Sequence, residues 1–194
     1  IIQHIEENHS INKEELHEYL EWIKSGSDRA TSIVKSLNIF SRSTEDMDEC
    51  CDLHLIINDC LLMLRSKHRD RIKIVKDFMH DQATILGNNG RLHQAMLNLI
   101  ANAIDAIPGE GQIIIKTRSE ADLLKVSIND NGTGITSEHL QKIMDPFFTT
   151  KSPGKGTGLG LSISNSIIRD HRGSIKFDSI VGKGTTVIIN LPKE

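Results

Sequence analysis

Apolar residues in the first quarter of the chain recur at alternating steps of three and four. Over residues 12–43 the stripe consists of Leu16, Tyr19, Ile23, Gly26, Ala30, Ile33, Leu37 and Phe40. This spacing keeps one face of a helix against a partner helix, as in a coiled coil or a four-helix bundle. Because a single helix cannot bury such a stripe alone, the pattern predicts a long helix that dimerises. An ordinary amphipathic surface helix is the alternative.

Beyond a polar, acidic stretch, Ser41–Asp52, which we predict to be a linker, helical and strand periods are interspersed. Helices are predicted at Leu55–Leu64, at residues 90–107 and at Ser162–Asp170. Strands are predicted at Ile72–Phe78, Ala83–Leu86, Gln112–Arg118, Leu124–Asn129, Ser174–Asp178 and Thr185–Leu191. This mixture predicts an α+β fold in which helices pack on one face of a mixed sheet.

Composition excludes several classes of function. The 194 residues are 38% hydrophobic and carry a net charge of −3, so they can bury one good core and show no basic bias for nucleic acid. Cys50, Cys51 and Cys60 lack metal-ligand spacing and are typical of reduced cytoplasmic thiols. No apolar run approaches the ~20 residues that a membrane span needs. We therefore expect a cytoplasmic fragment without membrane contact, although missing regions could anchor the full-length protein.

The helix over residues 90–107 carries a polar stripe. Asn98, Asn102 and Asp105 are spaced by four and three residues, which places them on one face, and Arg91 and Gln94 extend it. Such a stripe is usually a solvated surface. Two asparagines in the middle of a helix are nevertheless unusual, because asparagine prefers caps and turns. Their neutral amide oxygens are suitable ligands for Mg²⁺.

Asp130 follows an apolar strand and opens the segment Asp130–Gly134, which contains two glycines. A carboxylate here can accept a hydrogen bond from an exocyclic amine, which would select adenine over guanine. The glycines permit a close approach of the backbone to a base. The alternative is an aspartate that only forms a turn, since the sequence Asp-Asn-Gly, which opens this segment, is common in turns.

A second glycine-rich segment, Gly156–Leu161, opens the helix that continues through Ile163. Free N–H groups at a helix start form an anion site, so phosphates are the expected occupant, with Lys151 and Lys155 flanking it. The segment is neither a Walker A loop nor a dinucleotide fingerprint. Residues 131–157 lack a strong period, as expected of a functional lid. Phe147 and Phe148 either dock this lid or belong to the core.

Five segments follow one another in order between residues 88 and 191. They are Asn98–Ala106, Asp130–Gly134, Pro146–Lys151, Gly156–Leu161 and Gly182–Thr186. They resemble the asparagine box, the first glycine box, the phenylalanine box and two further glycine boxes of the two-component sensor histidine kinases. This family belongs to a wider group with gyrase-type and chaperone ATPases. The phenylalanine box is most similar to that of nitrogen-regulation and oxygen-sensing kinases.

The resemblance implies a Bergerat-type ATP-binding domain, a two-layer α/β sandwich, over residues 47–194. Residues 1–46 would be part of the dimerisation and phosphotransfer hairpin, with the long helix as its second helix. The implied cofactors are ATP and Mg²⁺, the metal being held by Asn102 with help from Asn98. The implied nucleotide-binding residues are Asn98, Asn102, Asp105, Asp130, Gly132, Gly134, Lys151, Lys155, Gly156, Thr157, Gly158, Leu159, Gly160, Thr185 and Thr186.

The implied reaction is transfer of the γ-phosphoryl group of ATP to a histidine, followed by relay to a response-regulator aspartate. The implied partners are a second copy of the chain, bound through the hairpin, and the receiver domain of a response regulator. The family's acceptor motif, a histidine followed by an acid and then proline, is absent. His17 precedes Glu18 but lacks the proline, and His4 and His9 lack the acid. We therefore expect the acceptor upstream of Ile1, and a chain that binds ATP without phosphorylating itself.

Three alternative functions remain at this point. Gyrase-type and chaperone ATPases place a glutamate one helical turn before the metal-binding asparagine, where this chain has Asn98, which cannot act as a general base. A degenerate ATP-binding scaffold would be expected to lose box residues that are present here. A serine kinase of the anti-sigma type usually lacks a long dimerising helix.

Overall fold

A computed structural model of the chain describes residues 15–23, 26–27, 47–152 and 156–193. The chain divides into two units, the first containing Ile1–Ser43 and Thr149–Thr157, the second Thr44–Phe148 and Gly158–Glu194. In the first unit, residues 15–23 and 26–27 are helical, as predicted, and Tyr19 contacts Trp22 edge to face. The rest of the predicted stripe, from Ala30 to Phe40, lies outside the described residues. Dimerisation through this helix therefore stays a prediction.

The second unit is built on a five-stranded mixed sheet. Its strands in spatial order are β2 (Ile72–Asp77), β4 (Gly111–Glu120), β5 (Leu123–Asp130), β7 (Gly184–Pro192) and β6 (Ser174–Ile180). The β2–β4 pair is parallel and the other pairs are antiparallel. The central strand β5 buries every second residue, Leu124, Val126, Ile128 and Asp130, because successive side chains point to opposite faces. One face of the sheet is thus buried, as the alternation in the sequence predicts.

The last residues of the predicted linker form a strand of a small two-stranded sheet. Glu49–Asp52 forms β1 and pairs antiparallel with β3, Thr84–Gly87, so the linker Ser41–Asp52 was wrong at its end. Only Cys51 of the four β1 residues is buried, and it lies opposite Ile85. A strand that buries one residue leaves too weak an alternation to be recognised in the sequence.

Helices cover the buried face of the large sheet. The helices of this unit are α1 (Leu53–Met63), α2 (Arg65–His68), α3 (Asn89–Asp105), α4 (Ser137–Leu140) and α5 (Gly160–Asp170), of which α3 contacts β5 and α5 contacts β6. α3 packs against α1, α5 and β5, and its Leu92, Met96, Leu99, Ile100 and Ile104 are almost inaccessible to solvent. This arrangement confirms the predicted two-layer α+β fold with a mixed sheet. The short helices α2 and α4 were not predicted, because four residues show no helical period.

The described residues include all three cysteines and several helices of the chain. All three cysteines are free thiols; Cys51 and Cys60 are buried, and burial raises the pKa of the Cys60 thiol to about 12. Of the helices within the described ranges, none combines the length and the apolar character that crossing a bilayer requires.

Candidate functional site

Asp130 lies at the end of β5 with only 3% of its surface exposed. Its Oδ1 accepts hydrogen bonds from the backbone N–H groups of Gly132, at 2.8 Å, and Thr185, at 3.3 Å. Burial raises the pKa of this carboxyl group, and the two N–H donors oppose that effect by stabilising the charged form. Because both bonds go to one oxygen, the group is firmly oriented.

The two threonines of the last glycine-rich segment lie on opposite faces of the sheet. Thr185 pairs with Asp130 in the strand register and is buried beside it. Thr186 pairs with Asn129, whose Nδ2 donates to its Oγ1 at 2.7 Å on the other face. The resemblance implies nucleotide-binding roles for both Thr185 and Thr186. The geometry favours Thr185, and Thr186 does not share the face of Asp130.

The glycine residues after Asp130 are required by close backbone contacts. A Cβ at Gly132 would lie 2.4 Å from the carbonyl oxygen of Ala106, at the end of α3. Gly134 has a φ of +69°, and a Cβ there would lie 2.2 Å from the carbonyl oxygen of Ile180. Between them, the N–H of Thr133 donates to the Ala106 carbonyl at 3.0 Å. The segment is thus held between the end of α3 and the β6–β7 turn.

The polar stripe on α3 faces the start of α5 at one of its asparagines. Asn98 Nδ2 donates to the carbonyl of Gly160, the first residue of α5, at 3.3 Å. Asn98 and Asn102 are both half-buried, which distinguishes them from an ordinary solvated stripe. Asp105 is exposed and forms an ion pair with Lys67 at 3.7 Å. The structure therefore brings Asn98 to α5 and turns Asp105 towards α2.

The start of α5 has the features of an anion site. Gly158 has a φ of +68°, and a Cβ there would lie 2.3 Å from the backbone of Phe147. The N-cap residue is Leu159, whose side chain offers no acceptor to the N–H groups of the first turn. These N–H groups and the helix dipole favour a negatively charged ligand. Gly158, Leu159 and Gly160 lie at this helix start, and their role in binding phosphates stays a prediction.

The remaining residues of the predicted phosphate loop belong to the first unit. Lys151, Gly156 and Thr157 are described there, and a Cβ at Gly156 would lie 2.5 Å from Oγ1 of Thr149. Lys155 lies outside the described residues. The roles of these four residues stay predictions.

The two phenylalanines of the predicted lid differ in environment. Phe147 is 69% exposed and has a φ of +70°, a backbone region that bulky residues rarely adopt. Phe148 is half-buried and contacts the ring of His139 edge to face, with centroids 5.6 Å apart. Neither ring lies in the core, which removes the core alternative for this pair.

Sequence reasoning missed Ser179, on β6 beside the pocket. Its hydroxyl accepts from the N–H of Ile135 at 2.8 Å and lies 2.9 Å from Oγ1 of Thr185. It therefore joins the loop after Asp130 to the strand opposite. A single serine in a strand carries no periodic or motif signal that could have identified it.

A buried histidine was also missed. His171, at the end of α5, accepts from the N–H of Asn88 at Nε2 and contacts the Ile167 carbonyl with Nδ1 at 2.7 Å. This pattern requires a neutral ring that carries its proton on Nδ1, and burial lowers the pKa of His171 accordingly. Asn88 in turn caps α3 by accepting from the N–H of Arg91. His171 thus links the end of α5 to the start of α3.

Comparison with known proteins places the chain in a family. The family model of histidine kinase-, DNA gyrase B- and HSP90-like ATPases matches residues 87–194. The chain is 39% identical to sensor kinase CckA of Brucella abortus (strain 2308), over 88% of the chain and 20% of that protein. The chain therefore spans about a fifth of the length of this curated relative.

Solved structures extend the comparison to the fold. The catalytic domain of histidine kinase ThkA is 31% identical, with a TM-score of 0.69, over 77% of the chain and 97% of that domain. ThkA in complex with the response regulator protein TrrA gives a TM-score of 0.79 at 27% identity, over 97% of the chain and 54% of ThkA. Since the family model matches more than half of the chain and the ThkA domain is covered almost completely, the chain belongs to the two-component sensor histidine kinases of this ATPase family.

Proposed function

We propose that the chain binds Mg-ATP and supplies the ATP-binding half of a kinase that transfers the γ-phosphoryl group to a histidine. The observation that carries this proposal is the buried Asp130, held by Gly132 and Thr185 at the end of β5. A buried, oriented carboxylate beside a glycine-rich loop is suited to recognising a base. The start of α5 is suited to phosphates.

At the adenine end, the two carboxylate oxygens of Asp130 have different hydrogen-bond partners. Oδ1 of Asp130 accepts both backbone bonds, so Oδ2 is the oxygen that we assign to the exocyclic amine of adenine. Guanine presents a carbonyl oxygen at that position, and two acceptors facing each other would leave Oδ2 of the buried carboxylate without a donor. The proposed site therefore selects ATP over GTP.

At the phosphate end, the asparagines of α3 fit a magnesium ion. Asn98 uses Nδ2 to bind the Gly160 carbonyl, which leaves its Oδ1 as the ligand atom, and Asn102 lies one turn further along α3. In the described part of the chain, no three histidine, cysteine or acidic side chains cluster to hold a metal ion. Neutral amide oxygens together with phosphates are typical ligands of Mg²⁺, which when bound neutralises phosphate charge.

The hairpin and the partners belong to the same proposal. We assign residues 1–46 to a dimerising hairpin and residues 47–194 to the ATP-binding domain. The ThkA complex with TrrA, which the chain matches over 97% of its length, supports a response-regulator receiver domain as the phosphoryl acceptor after the histidine. We place this part of the protein in the cytoplasm, where ATP is available.

Hydrolysis of ATP is disfavoured by the residue one turn before Asn102. Asn98 is an amide whose Nδ2 is bound to Gly160, so it cannot take a proton from water. Phosphoryl transfer needs no base at this position, because positioning and charge neutralisation supply most of the catalysis.

Calorimetry with Mg-ATP tests the binding proposal. Asn102→Ala is expected to weaken Mg-ATP binding by about tenfold or more, that is by about 1.4 kcal/mol or more, because the ion loses one of its proposed oxygen ligands. Asn58→Ala is the matched control, because the side chain of this α1 asparagine accepts a hydrogen bond from Nζ of Lys76 on β2, at 2.8 Å, and plays no part in the proposed metal site. Equal affinity for Mg-ATP in the wild type and Asn102→Ala would remove the metal role, and absence of binding in the wild type would remove the function.

Radiolabelled ATP tests the transfer step. The full-length protein is expected to carry acid-labile phosphate on a histidine that lies outside residues 1–194, whereas the 194-residue chain stays unlabelled. Label on His17 in the short chain would contradict this assignment of the acceptor.

A further inference from the structure

The C-terminal end of α3 lacks a basic residue of its own. The last carbonyls of a helix have no partner within the helix, and a cation near them is favourable because of the helix dipole. No residue in the last turn of α3 is basic. A cationic donor from another element can therefore stabilise the carbonyls at this end.

Arg71, which precedes β2, supplies those donors. Its Nη2 donates to the Ile104 carbonyl at 3.1 Å, and its Nη1 donates to the carbonyls of Ile107, at 2.5 Å, and Gly109, at 3.1 Å. Its Nε donates to the Lys67 carbonyl at 3.0 Å. One guanidinium thus joins α2, the end of α3 and the following turn.

The turn that Arg71 holds is also the support of the proposed base pocket. Ala106 lies between Ile104 and Ile107, and its carbonyl accepts from the N–H of Thr133 at 3.0 Å. The same carbonyl would lie 2.4 Å from a Cβ at Gly132, so the glycine segment packs directly on it. A shift of this turn by a few tenths of an ångström would therefore move Gly132, whose N–H orients Asp130.

We propose that Arg71 is a positioning residue for nucleotide binding, holding the end of α3 against the loop that follows Asp130. The inference rests on the proposed function, because the expected effect of changing Arg71 is a change in the affinity for Mg-ATP. Arg71 does not touch the nucleotide in this scheme. It acts through Ala106, Gly132 and Asp130 in turn.

The test compares Arg71→Met with Arg118→Met, because Arg118 also makes several hydrogen bonds through its guanidinium group. Arg118 donates to the carbonyls of Asp77 and Thr117 and to Oδ2 of Asp77, yet it lies on β4 away from the glycine segment. Each variant of the 194-residue chain is examined for Mg-ATP affinity by calorimetry, for melting temperature without nucleotide, and for hydrogen exchange at the Thr133 amide.

Arg71→Met is expected to weaken Mg-ATP binding by about tenfold and to speed exchange at Thr133, because several charged hydrogen bonds are lost together. Arg118→Met is expected to lower the melting temperature while keeping affinity within about twofold. Arg71→Lys, which keeps the charge but cannot span four carbonyls, should give an intermediate affinity. It also serves as the test variant if the methionine variant does not fold.

Two results would overturn the proposal. One is an Arg71→Met or Arg71→Lys protein that binds Mg-ATP as the wild type does, with Thr133 exchange unchanged. The other is an Arg118→Met protein that loses as much Mg-ATP affinity as Arg71→Met does when the two variants have the same melting temperature. The loss would then come from lower overall stability and not from the position of the loop. If the wild type binds no nucleotide, the proposed function fails, and exchange at Thr133 still decides whether Arg71 holds the loop.

Discussion

At the scale of single residues, Asp130 combines burial with spare capacity to accept a hydrogen bond. Its Oδ1 is occupied by two backbone donors, and its environment raises its pKa, so the charged form is held at a cost to the free protein. A ligand that donates to Oδ2 relieves that cost. Ligand binding and the charge of this one group are therefore coupled.

Asp130→Asn is predicted to separate the two effects. The amide oxygen can keep the bonds from Gly132 and Thr185, while the new NH₂ group meets the adenine amine as donor against donor. ATP affinity should fall by about tenfold or more and the preference for ATP over GTP should shrink, measured by calorimetry with both nucleotides. The free variant should melt no lower than the wild type at pH 7, because a buried charge has been removed.

The control for this prediction is Asp178→Asn, an exposed carboxylate on β6. This control should change neither the affinity for ATP nor the preference for ATP over GTP. A variant at position 130 that still binds ATP as tightly as the wild type would exclude Asp130 from base recognition.

His171 makes a second prediction at this scale, for the dependence of stability on pH. Its folded-state pKa lies below the usual 6.5, so below about pH 6.5 the unfolded chain takes up a proton that the folded chain refuses. The stability that His171 contributes is thus complete above pH 6.5. It is lost as the pH falls from 6.5 towards the lower pKa of the folded state. Arg91 and Asp170, paired beside it, carry opposite charges.

Chemical unfolding at pH 7.0 and pH 5.5 should show the difference. His171→Gln should lose less unfolding free energy between the two pH values than the wild type does, because the titrating group is gone. His80→Gln, at an exposed position, should behave as the wild type. Parallel losses in all three proteins would show that His171 does not titrate on unfolding.

At the scale of elements, the sequence predicted those that bury a regular stripe and missed those that do not. The helix over 90–107 was found as Asn89–Asp105 because its apolar residues repeat every three or four positions. β1 buries Cys51 alone, and α2 and α4 are too short to show a period. The contacts of Arg71 with Ile104 and of Ser179 with Ile135 join positions far apart in sequence, so no local pattern could have indicated them.

Replacing Gly132 tests how closely α3 and the glycine segment approach each other. Gly132→Ala places a Cβ 2.4 Å from the Ala106 carbonyl and 2.8 Å from Oδ1 of Asp130. It should destabilise the protein by about 1–3 kcal/mol, as overpacking does, and weaken Mg-ATP binding in calorimetry. Gly109→Ala is the matched control, since a Cβ there meets nothing within 4 Å. Equal behaviour of the two variants would contradict the close approach.

At the scale of the whole molecule, the order of the strands in space differs from their order in the chain. β7, the last strand, does not lie at an edge of the large sheet but between β5 and β6. It brings Thr185 to Asp130, a partner 55 positions earlier. The last-described strand thus completes both the sheet and the proposed base pocket.

That position has a kinetic consequence. The proposed pocket needs Asp130 and Thr185 together, so it cannot form until β7 has entered the sheet. If ATP binds there, a chain on the ribosome cannot hold it until that strand has emerged. Contacts formed after the folding transition state act on unfolding. Saturating Mg-ATP, at ~100 times Kd, should therefore slow unfolding in urea by about 100-fold and leave refolding unchanged in stopped-flow measurements. Equal acceleration of refolding would mean that the pocket forms early, and nucleotide would then guide the folding of the domain.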